Sequence, residues 1–136
     1  MNKYIEWGRD VLDAEIEALR AVRERLGAPF ADAVRAVKSC KGKVIVTGIG
    51  KSGHVGKKIA ASLASLGTPS FFVHSGEALH GDSGMMAPND LVIAISNSGE
   101  TPEVVAAARL AKSFGLKLIA MTGKPGSSLG SLADIW

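Results

Sequence analysis

Two hydrophobic periodicities divide this chain near residue 40. Before it, Ile5, Leu12, Ile16, Leu19, Val22 and Leu26 recur close to helical spacing among Glu6, Arg9, Asp10, Asp13, Glu15, Glu17 and Arg20. That pattern predicts an amphipathic helix over residues 3 to 26, with one solvated face. Gly27-Ala-Pro29 is expected to end it, and a shorter helix follows from about Ala31 to Ser39. Beyond the turn Lys41-Gly42-Lys43, short apolar runs alternate with helical stretches. Strands are expected at 43–48, 69–74, 91–96 and 116–121, helices at 53–66 and 101–114, and a loop at 75–89. Leu91-Val-Ile-Ala-Ile95 has no polar member, as in a strand buried on both faces. The alternation predicts an α/β fold of three layers, a parallel sheet covered by helices on both sides. After Thr122-Gly-Lys-Pro-Gly126 a short helical stretch is expected, and Ala133-Asp-Ile-Trp136 reads as the opening of a further strand.

Composition narrows the function classes. The 136 residues are 46% hydrophobic and 21% charged, the profile of an ordinary globular chain of one domain, and disorder is excluded as its default state. Helices are expected over 1–40 and the α/β core over 43–136. A net charge of +3 with 5% aromatic residues and no interleaved basic stripe argues against nucleic-acid binding. Lys38, Lys41, Lys43, Lys51, Lys57 and Lys58 form a denser set that suits anionic small molecules. No run approaches the roughly 18 apolar residues of a membrane span, and the charged N-terminus does not follow a signal-peptide pattern. A single cysteine, Cys40, can form no internal disulfide, in keeping with a reducing compartment.

Three loops carry candidate chemistry. Ser96-Asn-Ser-Gly-Glu-Thr101 joins the buried strand to a helix that opens with Pro102. Unpaired N–H groups and the helix dipole favour an anion there, and the Ser96, Ser98 and Thr101 hydroxyls can donate to phosphate oxygens. The plain alternative is a Ser/Gly turn that only caps a helix. Glu100 is out of place in an anion site, and it reads either as an acid/base group or as a first-turn helix acid. Gly48-Ile-Gly-Lys-Ser-Gly53 satisfies G-x-G-x-x-G, but Ser70-Phe-Phe-Val-His74 ends in no carboxylate for a ribose hydroxyl, which weakens a dinucleotide reading. A nucleotide P-loop fails as well, because the glycine it needs at position 45 is Ile45. What remains is a second anion-binding turn, with Ser52 as donor and Lys51 as point charge or plain solvated lysine. The long polar loop from His74 to Gly84 holds His80, Glu77 and Asp82, with spacing that matches no strong metal template. His80 is a candidate proton carrier, an opportunistic metal ligand, or a histidine that orders the loop.

Taken together, the segments Gly48-Ile-Gly-Lys-Ser-Gly-His54, Phe71-Phe-Val-His-Ser-Gly-Glu-Ala-Leu-His-Gly-Asp82 and Ile95-Ser-Asn-Ser-Gly-Glu-Thr101 resemble the SIS (sugar isomerase) domain family, and more narrowly its arabinose 5-phosphate isomerases. The resemblance implies a flavodoxin-like parallel sheet of five strands, usually in a cytoplasmic homotetramer. It implies interconversion of D-ribulose 5-phosphate and D-arabinose 5-phosphate, which feeds synthesis of Kdo and lipopolysaccharide. By resemblance, Ser52, Ser96, Ser98 and Thr101 fall on phosphate-binding positions, and Lys51 and Glu100 on isomerase active-site positions. His80 falls on the histidine associated with divalent metal such as zinc, and no cofactor is required. Family members continue past the position of Trp136, completing the fifth strand and supplying a further Glu and a His, and many add tandem CBS domains. The fifth strand is therefore expected to be incomplete. The alternative function from the same family is a non-catalytic sugar-phosphate sensor.

Overall fold

A computed structural model describes residues 2–136. Helix α1 spans Lys3–Arg25, and the Asn2 side chain caps it by accepting from the Tyr4 N–H. Helix α2, Ala28–Ser39, begins three residues earlier than the sequence pattern suggests. Pro29 is the reason. In the first helical turn its fixed φ is already helical and its missing N–H would have had no partner, so it starts α2 instead of breaking the chain. Strands β1 (Val44–Gly48), β2 (Ser70–His74), β3 (Leu91–Ile95) and β4 (Lys117–Met121) then alternate with helices α3 (Gly50–Ser65) and α5 (Pro102–Ser113). The segment expected as plain loop contains a one-turn helix, α4 (Ser75–Ala78), and a 3-10 turn at Asp82–Met85. Helix α6 covers Ser128–Leu132.

All strand pairs are parallel, in the order β2-β1-β3-β4. Past β4 the chain returns to the sheet: Ile135 pairs in parallel with Ile119, the Asp134 N–H donates to Leu118 O at 2.9 Å, and the Ala120 N–H donates to Ile135 O at 2.8 Å. A fifth strand therefore opens where the sequence pattern places it. Alternation along the strands sends Val44, Val46, Leu91, Ile93 and Ile119 to one face, against Ala36 of α2 and Ala60 of α3. Ile45, Val92, Ala94, Leu118 and Ala120 fill the other, against Val104, Ala107, Ala108 and Ala111 of α5 and Leu129 of α6. Small residues let the helices approach closely. A methyl group at Gly56 would sit 3.0 Å from the Phe72 ring and 3.2 Å from Val46. Helix α1 contributes to neither cluster and buries no residue.

A buried carboxylate fixes the lower edge of the sheet. Asp90 precedes β3 and accepts from the Lys43 N–H at 2.7 Å and the Ala87 N–H at 2.8 Å, with Lys43 Nζ 3.8 Å away. Its side chain is 1% exposed, so removing it strands two donors that water cannot readily reach. Asp90→Ala is expected to cost about 2 to 4 kcal/mol, read as a lower urea midpoint at unchanged slope. An unchanged midpoint would show that these donors find other partners.

Asp134 does similar work at the opening fifth strand. Its carboxylate accepts from the Leu118 N–H at 2.7 Å and from Lys112 Nζ at 2.8 Å. Partial burial pushes its pKa up, but the Lys112 and Leu118 hydrogen bonds and the charges of Lys112 and Lys117 outweigh that and leave it below the usual aspartate value. A depressed folded-state pKa gives stability that is present above the unfolded value and is lost as pH falls through the folded one. Acid titration should therefore weaken the β4–Ile135 pairing below about pH 4, followed by amide exchange at Ala120 and Ile135. Lys112→Met is expected to move that loss to higher pH.

Candidate functional site

The sheet order creates the site. From β1 the chain runs through α3 to β2 on one side, and from β3 it runs through α5 to β4 on the other. The carboxyl ends of β1 and β3 therefore flank a topological switch point, where open α/β sheets place ligands. Ile49 precedes α3 and Thr101 precedes α5, and neither caps its helix through its side chain. Two sets of orphan backbone donors thus begin on either side of one crevice. A built Cβ on Gly48 would lie 3.3 Å from both Gly53 N and Ile95 O, which shows how closely the two turns meet.

The sequence-predicted residues divide by what their polar atoms already hold. Lys51 and Ser52 lie in the first turn of α3, not in a loop before it, because that helix starts at Gly50. Lys51 is exposed. Ser98 accepts from the Glu100 N–H at 3.2 Å, which leaves its own hydroxyl proton free to donate outward. Ser96, expected as a phosphate donor, is tied into the loop. It is buried, accepts from the Gly99 N–H at 3.1 Å, and lies 2.8 Å from Thr101 Oγ1. Either hydroxyl of that pair can be the donor, and the other keeps a proton to give elsewhere. Ser96 thereby links Gly99 and Thr101 within one loop.

Glu100 has partners that its position in the loop does not announce. The Ser128 N–H donates to Oε1 at 2.8 Å and Ser128 Oγ to Oε2 at 2.7 Å. These two bonds, the hydroxyl first, lower the carboxyl pKa; slight desolvation opposes them and the Lys124 charge assists. The ionised form is thereby favoured. The whole loop is tied to the segment after β4: the Gly123 N–H donates to Asn97 O at 3.0 Å, and the Leu129 N–H to Gly99 O at 3.0 Å.

A family model described as the SIS domain matches residues 38–136. The chain belongs to the SIS domain family. It is 51% identical over 128 residues to arabinose 5-phosphate isomerase KdsD of Escherichia coli (strain K12), covering 94% of this chain and 39% of that protein. The chain thus spans about two fifths of the length of such relatives. Among solved structures, a protein of E. coli CFT073 in complex with arabinose 5-phosphate superposes with a TM-score of 0.93 at 44% identity, covering 99% of this chain and 73% of that one. The RpiR transcription factor from Sphaerobacter thermophilus (sugar isomerase domain) superposes with a TM-score of 0.83 at 27% identity, covering 94% and 72%.

Other parts of this SIS domain separate candidates from decoys. His80 is exposed in the turn after α4, and among the described residues no group of three or more His, Cys, Asp or Glu side chains is placed to hold a metal ion. In the same loop the His74 Nδ1 accepts from the Gly76 N–H at 3.1 Å and caps α4. A concavity of about 300 Å³ lined by Ser39, Lys41, Asn89, Asp90 and Lys117 lies at the amino ends of the strands, away from the switch point. One of about 260 Å³, lined by Gly50, His54, Lys57, Phe72 and His74, borders the start of α3 on its β2 side. Sequence reasoning missed Ser128. A serine directly after another serine, at the start of a short helix, offers no signal beyond that of a cap.

Proposed function

We propose that this chain carries the sugar-phosphate site of an aldose–ketose isomerase that interconverts D-arabinose 5-phosphate and D-ribulose 5-phosphate. The observation that supports it best is the pair of helix starts without side-chain caps across the β1–β3 switch point, with Lys51 and Glu100 on the two turns. The similarity to proteins named for this activity supports the same reading. Ser52, Ser98 and Thr101 would donate to the phosphate, with Ser96 behind Thr101. Glu100 takes the proton from C2 of the aldose, the C–H electron pair becomes the C1=C2 double bond, and the carbonyl oxygen O1 gains the charge. Lys51 stabilises that enediolate as a fixed cation. Return of the proton to C1 and transfer of the O2 proton to O1 complete the ketose, with no oxidant or reductant consumed.

The cellular setting follows the resemblance: a cytoplasmic protein, with a product that supplies Kdo and lipopolysaccharide synthesis. No described helix is long and apolar enough to cross a membrane. Assembly as a homotetramer is supported by α1, whose apolar residues Ile5, Leu12, Ile16, Leu19 and Val22 are all exposed in one chain, as is Leu26 just past its end. A sensor of sugar phosphates is the second reading, favoured by the superposition on a transcription factor's sugar isomerase domain.

One experiment separates the two. D-arabinose 5-phosphate is added to the protein in deuterated water, with binding followed by phosphorus NMR and C2 deuteration by proton NMR. Binding with deuteration supports the isomerase, binding without it supports the sensor, and no binding removes both.

A further inference from the structure

The crevice holds one contact that the proposed reaction does not itself require. Ser128 lies 28 residues beyond Glu100, yet it claims both oxygens of the carboxylate, one through its N–H and one through its hydroxyl. Its neighbours brace it. Ser127 Oγ accepts from the Gly130 N–H at 3.2 Å and closes the start of α6, and the Leu129 N–H holds Gly99 O at 3.0 Å. Ser127 and Leu129 are buried and Ser128 is half-buried. Three successive residues therefore fix their own helix, the carboxylate, and the loop that carries it.

We infer that Ser128 is the positioning residue of Glu100, setting the orientation of that carboxylate from the connection between β4 and α6. Its catalytic meaning rests on the isomerase reading above. Each carboxylate oxygen offers two lone-pair directions. Ser128 takes one on each oxygen, which stops the group from rotating and leaves the second direction on each open to a substrate proton. The same two donors favour the ionised form, and Lys124 on the same connection adds to that effect. Without the hydroxyl, one oxygen loses its anchor, and the carboxylate gains freedom that must be lost again for each proton transfer.

The test uses the 136-residue chain with carbon-13 in its glutamate carboxyls, and Glu100→Gln to identify the Glu100 signal. Ser128→Ala is expected to shift the Glu100 titration midpoint upward, and Ser128→Thr, which restores a hydroxyl, to return it toward wild type. The Ser128 amide proton should follow Glu100 ionisation in the wild type and lose that step in Glu100→Gln. An unchanged midpoint in Ser128→Ala, with the other amide resonances in place, would overturn the assignment. If Ser128→Ala does not fold, the amide measurement decides, and a Ser128 amide indifferent to Glu100 ionisation overturns it equally. Arabinose 5-phosphate binding to the wild type separates the two ideas. Absent binding with the coupling intact removes the isomerase reading alone, and binding without coupling removes the positioning role alone.

Discussion

Glu100→Gln is expected to lower deuterium exchange at C2 of arabinose 5-phosphate by about 100- to 10,000-fold, while binding of the sugar phosphate stays within about threefold. The substitution suits the geometry. A Gln carbonyl oxygen can still accept from the Ser128 N–H, and its amide can donate to Ser128 Oγ, so the two contacts that hold the side chain survive. What disappears is basicity. Glu100→Ala would confound the two, since it also frees Ser128 and loosens the loop. Exchange that persists near the wild-type rate in Glu100→Gln would assign the base to another group.

Gly99→Ala is expected to cost about 3 kcal/mol of stability and to weaken sugar-phosphate binding by at least about tenfold. Gly99 has φ of +69°, where a side chain is strained. A built Cβ also runs into the side chain of Ser127 and lies 2.8 Å from Thr122 Oγ1. Ser127 is buried and caps α6, so it cannot yield without releasing the helix start that holds Glu100. Gly126 is the control on the same connection. Nothing lies within 4 Å of its built Cβ, and Gly126→Ala is expected to change stability by less than about 0.5 kcal/mol. Urea unfolding of both variants, with phosphorus NMR for binding, checks the contrast. Equal losses in the two would mean that the site tolerates movement of Ser127.

The parts of this fold that are legible in sequence are those set by local pattern. The four strands and the two long core helices follow from short apolar runs and helical periodicity. The two strand-to-helix turns follow from hydroxyls and glycines placed between strand and helix. Differences gather where a residue has two local meanings. Pro29 is a breaker or a first-turn residue, and only the conformation of Gly27 decides between them. His80 and His74 share one loop, and backbone geometry gives the capping role to His74. Ser96 and Ser98 look alike in the motif, yet one is buried behind Thr101 and the other faces outward. The Glu100–Ser128 contact is out of reach because it spans 28 residues and depends on how β4 and α6 fold back beside β3.

Helix α1 gains no packing from the body that follows it. Most of a helix's stability in a protein comes from packing of its amphipathic face. Within one chain α1 has the Asn2 cap and exposed pairs such as Arg20 with Glu17, each contributing little. Its remaining support would come from another copy seated on its apolar stripe. On the homotetramer reading, far-ultraviolet circular dichroism is expected to track protomer concentration, with helical signal lost on dilution while the sheet and the crevice persist.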